Sequence, residues 1–255
     1  MVRRGPGHPP VNALRLSLGT LTALPVRAPA RLDRRTAGRA MLLAPLVGLL
    51  LGLAATAVTL LPTPPLVDGL LAVASLALLT RAMHLDGLAD TADGLGSAQP
   101  PDQALQVMRR SDIGPFGVVT VVLCLGAQVA SIATLVSTRR GWVLLVVAAV
   151  LSRAVLPVLC HRLPAARADG LGHLVAGSVG LVPLVGCVTL VLAACVALGS
   201  TYDVVVTCVG TVIALVVATA YALHCVRRLG GITGDVLGAC VELTMTTALV
   251  VFTFA

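Results

Sequence analysis

Trp142-Val-Leu-Leu-Val-Val-Ala-Ala-Val-Leu-Ser-Arg-Ala-Val-Leu-Pro-Val-Leu-Cys160 carries a single charge, Arg153. A helix needs about 20 mostly apolar residues to cross the roughly 30 Å hydrocarbon core of a bilayer, and this run has that length. Similar runs recur along the chain. They predict seven spans: Ala40–Leu61, Leu66–Met83, Phe116–Val136, Trp142–Cys160, Leu174–Leu198, Val204–Cys225 and Val236–Phe254. The fold class is therefore all-α, a polytopic integral-membrane helix bundle of about seven transmembrane helices. Val11–Val26 is interrupted by Arg15 and Ser17 and ends at Pro25. It is too short to span and is expected as an interfacial or re-entrant segment. The polar, Pro- and Gly-rich residues 1–10 are expected to be a disordered tail, and residues 11–255 a single transmembrane catalytic domain.

Composition supports this reading. Hydrophobic residues make up 57% of the 255 residues and charged ones 11%, a balance foreign to soluble domains. Aromatics are too few, at 2%, to mark the membrane edges as belts. The net charge of +7 comes from eighteen Arg and no Lys. Basic patches with interleaved aromatics are missing, so nucleic-acid binding is not indicated. The seven cysteines form no C-x-x-C pair and fall mostly inside apolar runs, as small buried hydrophobes do. With the N-terminus inside, sixteen Arg fall on the cytoplasmic side and two, Arg139 and Arg140, on the other. By the positive-inside rule this predicts seven spans and a cytoplasmic active face in the cell membrane. Nine of the eleven acidic residues share that side; Asp68 and Asp203 do not.

The acidic residues carry the chemistry. His84-Leu-Asp-Gly-Leu-Ala-Asp-Thr-Ala-Asp93 sets Asp86, Asp90 and Asp93 at spacings of four and seven, which is one face of a helix. Stacked carboxylates repel, and a bound cation removes the repulsion. Magnesium, which prefers carboxylate oxygens and phosphates, is the expected metal, on Asp86, Asp90 and Asp93. Asp235 and Glu242 form a second acidic pair on one helical face, behind the glycine-rich turn that includes Gly234. Arg109 and Arg110, with Ser111, suit phosphate binding. Arg153, inside an apolar run, reads either as a site residue or as the partner of an acid. His84 reads as a structural residue or as a phosphate contact. These residues describe a membrane enzyme acting on a phosphorylated substrate, and leave that substrate unnamed.

The same residues resemble the cobalamin synthase family, the adenosylcobinamide-GDP ribazoletransferases. His84–Gly94 is similar to the family's signature, Gly230-Gly-Ile-Thr-Gly-Asp-Val-Leu-Gly238 with Glu242 to its C-terminal motif, and Leu21–Pro25 and Ala44–Gly52 to its N-terminal segments. Many members read Asp-Ser-Arg where this chain has Arg110-Ser-Asp112, and some carry a second Glu where it has Met245. The resemblance implies a magnesium-dependent phosphotransferase of the nucleotide-loop step in vitamin B12 biosynthesis. In it the 5′-hydroxyl of α-ribazole, or its 5′-phosphate form, attacks the cobinamide-side phosphate of adenosylcobinamide-GDP and GMP leaves. It implies Asp86, Asp90, Asp235 and Glu242 as catalytic residues, and His84, Arg109, Arg110, Ser111, Arg153 and Gly234 as substrate contacts. The lipid bilayer is a partner, and self-association into a homo-oligomer stays open. The alternatives are an enzyme like the CDP-alcohol phosphotransferases, whose Ala-Arg motif is missing here, or a membrane transporter, which would set its acids near the midplane.

Overall fold

In hydrocarbon every backbone amide must find its partner within the protein, and a helix achieves this locally. The computed structural model describes residues 9–29, 32–138, 141–199 and 201–254. Among them it forms twelve helices and no strand. In chain order they are α1 (Pro9–Leu21), α2 (Arg34–Leu42), α3 (Ala44–Val58), α4 (Pro65–Leu79), α5 (Met83–Gly96) and α6 (Pro101–Val107). The second half holds α7 (Pro115–Val136), α8 (Trp142–Arg162), α9 (Gly170–Val175), α10 (Leu181–Gly199), α11 (Val204–Leu229) and α12 (Gly234–Phe252).

Five helices, α7, α8, α10, α11 and α12, are each long and apolar enough to cross a membrane. The pairs α2–α3 and α4–α5 meet that condition only together, bent by 42° and 89°, which makes up to seven spans. An all-α polytopic bundle is thus what the chain forms. The segment expected at the interface, residues 11–26, is helical only as far as Leu21, the end of the 13-residue α1. Of the expected disordered tail, residues 1–8 lie outside the described residues. Pro9 and Pro10 open α1, where the missing proline N–H costs no helical bond. Arg139 and Arg140 also lie outside the described residues. One span is shorter than its hydropathy suggested. Residues 174–180 do not join the fifth span, because α9 ends at Val175 and Gly177 turns the chain at φ +63° before α10 begins.

The core is built around α8. Of the residues in its most apolar stretch 94% are buried, against 17% for α10. The outer faces of α7 and α10 present large apolar side chains such as Leu123, Val182 and Leu190, as lipid-facing helices do. Against α8 packs α3, at its Gly48 and Gly52. A Cβ at Gly48 would come within 2.4 Å of the Ala149 carbonyl oxygen, and one at Gly52 within 2.9 Å of the Ala149 Cβ. Small residues spaced by four allow this approach, which substitutes packing for the hydrophobic drive that lipid does not supply.

The chain departs from simple spans between α4 and α5. Arg81 and Ala82 both adopt φ of 54°, a left-handed conformation costly for residues with a Cβ. This pair produces the 89° turn. It sends α5 across the end of the bundle where α12 begins.

Candidate active site

The crossing of α5 over α12 creates the site. Gly87 is the contact point: a Cβ there would lie 2.7 Å from the Asp235 carbonyl oxygen and 2.8 Å from its Cα. Only glycine permits this approach. It brings Asp86 and Asp90, on either side of Gly87, next to Asp235 at the start of α12. Asp86 is exposed, while Asp90 and Asp235 are half-buried. Burial first, and then the carboxylates of Asp86, Asp235 and Asp93, push the Asp90 carboxyl up to about 7, with Arg167 pulling the other way. Three carboxylates from two segments far apart in the chain, Asp86 and Asp90 in one and Asp235 in the other, therefore press on one another. Among the described residues no three His, Cys, Asp or Glu side chains close on one point as a preformed metal cage.

A cation that was not among the expected site residues lies beside these acids. Arg167 Nη1 is 3.7 Å from Asp235 Oδ2, and its Nη2 donates to the Leu105 carbonyl at 2.9 Å. Its loop is fixed by an isolated parallel bridge between Ala165 and Ile232. There the Ile232 N–H donates to the Pro164 carbonyl at 2.8 Å and the Ala166 N–H to the Ile232 carbonyl at 3.0 Å. The segment after α8 is thereby clamped to the segment that opens α12. Thr233 caps α12, accepting from the Val236 N–H at 3.2 Å, and its hydroxyl also donates to Asp235 Oδ2 at 3.2 Å. Arg109 completes the rim. Its Nη2 donates to both oxygens of Asp169, at 3.0 and 3.1 Å.

Two recesses open here. A cavity of about 370 Å³ is lined by Arg109, Arg167, Asp169, His173, Gly234 and Asp235, among others. A more apolar groove of about 640 Å³ runs along the turn into α5, lined by Arg81, Met83, Leu85, Asp86, Ala89, Ile113 and Val121. Of the expected site residues, Asp86, Asp90, Asp235, Arg109 and Gly234 are brought together. Arg110 and Ser111 are exposed and line neither recess.

The structure gives other expected residues different surroundings. Asp93 directs both oxygens at the backbone that opens α7, accepting from the Gly114 N–H at 2.7 Å and the Gly117 N–H at 2.9 Å. It anchors α7 there, a role that the helical spacing did not suggest. Helical periodicity shows which residues share a face, and not what that face meets. His84 and Arg153 were expected to touch substrate, yet they are 4% and 2% exposed and line neither recess. His84 lies against α12, where a Cβ at Gly238 would approach its Cα to 3.2 Å. Glu242, two turns beyond Asp235, faces the bundle interior and accepts from Gln128 Nε2 at 2.8 Å. Arg167 and Asp169 were not among the expected site residues, although their segment, Arg167-Ala-Asp-Gly-Leu-Gly172, was expected on the same cytoplasmic face as the acidic clusters.

Known proteins match this chain along nearly all of its length. The family model for cobalamin-5-phosphate synthase matches residues 13–253. A Nocardioides protein named adenosylcobinamide-GDP ribazoletransferase is 47% identical over 244 residues, covering 93% of this chain and 96% of that relative. Proteins of the same name from Frankia casuarinae and Stutzerimonas stutzeri are 40% and 36% identical, each across 93% of this chain and 92% and 96% of the relative. No solved structure matches. A family model that covers nearly the whole described bundle, with relatives this similar over more than nine-tenths of their length, leaves one assignment: the chain belongs to the cobalamin-5-phosphate synthase family.

Proposed function

We propose that this protein transfers the cobinamide-phosphate moiety of adenosylcobinamide-GDP to a hydroxyl of α-ribazole or of α-ribazole 5′-phosphate, releasing GMP. The family match and the names of its relatives supply the reaction class. The observation that carries the site is the α5–α12 crossing at Gly87, which gathers Asp86, Asp90 and Asp235 beside Arg167. The family description speaks of a cobalamin 5-phosphate. A ribazole already esterified at its 5′-oxygen cannot attack through that oxygen, so another ribose hydroxyl is the nucleophile, in place of the 5′-hydroxyl expected from the resemblance.

In this transfer the ribose oxygen forms a bond to the cobinamide-side phosphorus. The bond from that phosphorus to the bridging oxygen breaks, and GMP departs with the bonding electrons. Arg167 and Arg109 border the cavity of about 370 Å³ and suit the departing phosphate, since guanidinium matches phosphate oxygens in charge and geometry. Asp235 borders the same cavity and is the acceptor for the hydroxyl proton. The apolar groove ending at Asp86 suits the aromatic base or the corrinoid body.

The donor set fits magnesium. It is all carboxylate, and burial together with the neighbouring carboxylates raises the Asp90 carboxyl to about 7. Magnesium usually takes only one or two carboxylates together with substrate phosphates, so a closed cage is not required. Asp86 and Asp90 would hold it, with Asp235 alongside. When bound it neutralises pyrophosphate charge. The arginine asymmetry of the sequence supports a cytoplasmic-membrane location with this site on the cytoplasmic face.

The test is GMP formation by the purified protein with adenosylcobinamide-GDP, α-ribazole and magnesium, with and without EDTA. Turnover that EDTA abolishes and magnesium restores is the expected result. Turnover indifferent to EDTA would sink the metal assignment, and absence of GMP with both substrates present would sink the reaction.

A further inference from the structure

We infer that Arg153 and Glu242 form a charge pair across a water-sized cavity, held in place by Gln128, that positions α12 and α5 for the reaction without touching substrate. The inference rests on the reading of the α5–α12 crossing as the reaction site.

Arg153 sits on the central helix α8 and is 2% exposed. A guanidinium there is costly unless it is partnered. Its Nη1 donates to the Ser152 hydroxyl at 2.8 Å, and its Nε meets no acceptor among the described residues. Arg153 and Glu242 line one small cavity of about 10 Å³, together with Gln128 and Thr80. That volume suits a single water, which needs two or more polar partners, and the arginine and the carboxylate supply them.

The acid is fixed from its other side. Gln128 Nε2 donates to Glu242 Oε2 at 2.8 Å and to the Thr246 hydroxyl at 3.0 Å, and that hydroxyl donates back to the Glu242 carbonyl at 2.8 Å. The network thus ties α7, α8 and α12 together at one level. Two helical turns above it on α12 stands Asp235, whose backbone meets Gly87 of α5. A helix is stiff over two turns, so a displacement at Glu242 is passed to Asp235 and to the crossing. Neither Arg153 nor Glu242 lines the cavity of Asp235 or the groove of Asp86, as a pair that acts through α12 requires.

The experiment is a double-mutant cycle on the full-length protein in detergent. It reads unfolding temperature together with kcat and KM for GMP release. Arg153→Met and Glu242→Gln each strand one buried charge. Each is expected to lower the unfolding temperature and to cut kcat by about tenfold or more, with KM for the corrinoid nucleotide within about twofold. The double variant strands none and is expected to regain unfolding temperature and kcat above either single variant. A tenfold rise in KM for Arg153→Met at unchanged unfolding temperature overturns the inference, because it signals direct substrate contact. So does an inactive Glu242→Gln of normal unfolding temperature that the second change does not rescue. Should the single variants resist purification, Gln128→Leu keeps both charges and is expected to cut kcat several-fold at constant KM; unaltered kcat overturns the inference. Asp86→Asn separates the two readings. If it turns over normally the site assignment fails, while the unfolding temperatures still decide whether the pair exists.

Discussion

The protein holds two groups of charges a few turns apart on α12, and they are treated oppositely. At the bundle end, Asp86 and Asp235 line open recesses with Arg167 and Arg109, and half-buried Asp90 feels both carboxylates. Inside, Arg153 and Glu242 share a cavity that admits about one water. The outer group is in surplus of negative charge and remains accessible, as the proposed cation and phosphate require. The inner group is balanced, one charge of each sign, around a space that suits about one water. The difference teaches that conspicuous charge in an apolar chain has two uses, chemistry where solvent reaches it and alignment where it does not.

The comparison breaks most readily at the outer group. Asp86→Asn and Asp90→Asn keep the shape of the side chain and remove its charge. Each is expected to lower the rate of GMP formation by on the order of 10²-fold or more, the cost of losing one preorganised electrostatic element. Unfolding temperature is expected to hold or rise, since repulsion is relieved. Near-normal turnover in both variants removes the outer group from the chemistry.

Asp90 adds a pH signature with a definite sign. Its carboxyl is raised to about 7 in the folded protein, above its value in the unfolded chain. The stability tied to its protonated form is therefore full below about pH 4 and is lost as the pH rises through about 7. In the cation-free protein, magnesium must displace that proton below about 7. Magnesium affinity, measured by titration calorimetry, is expected to climb with pH toward 7 and level off above it. A flat profile contradicts the crowding of the outer group, and Asp90→Asn is expected to flatten it.

Gly87 tests the geometry that gathers the outer group. In Gly87→Ala the new methyl carbon would sit 2.7 Å from the Asp235 carbonyl oxygen, and backbone cannot yield there cheaply. The crossing opens, with a cost of about 1–3 kcal/mol for overpacking and a larger loss of turnover than of stability. An Ala variant with normal kcat means that α5 and α12 need not touch for reaction.

Asp93 shows where sequence and structure part company. The three aspartates were legible as one helical face, and so were the spans, because apolar length and charge spacing are local properties. What each carboxylate meets depends on elements far along the chain. Asp93 meets the backbone opening α7, Asp86 and Asp90 meet α12, and no local pattern distinguishes them. Arg153 was likewise visible as an anomaly, but whether it faced a cleft or a core depended on how α8 sits among α3, α11 and α12. The 89° turn at Arg81 and Ala82 was invisible, since neither residue advertises a left-handed conformation as glycine would. Asp93→Ala leaves the Gly114 and Gly117 N–H groups without their acceptor. It is expected to cost about 2 kcal/mol of stability, read as unfolding temperature, while magnesium affinity changes less than in Asp86→Asn. The reverse ordering would return Asp93 to the metal.

The smallest effect belongs to the outermost pair. Arg109 and Asp169 lie 3.0 Å apart, with side chains 55% and 69% exposed. An ion pair that wet contributes about 0–1 kcal/mol at most, and salt screens it. Arg109→Ala is therefore expected to leave the unfolding temperature nearly unchanged at any salt concentration, where Arg153→Met lowers it. Its consequence belongs in KM for the pyrophosphate substrate, because Arg109 borders the cavity that would receive the departing phosphate. Loss of binding without loss of stability at Arg109, and loss of stability without loss of binding at Arg153, would place the two arginines on opposite sides of the line between chemistry and alignment. If Arg109→Ala instead unfolds the protein and leaves KM untouched, then the rim is part of the scaffold, and phosphate recognition rests on Arg167 alone.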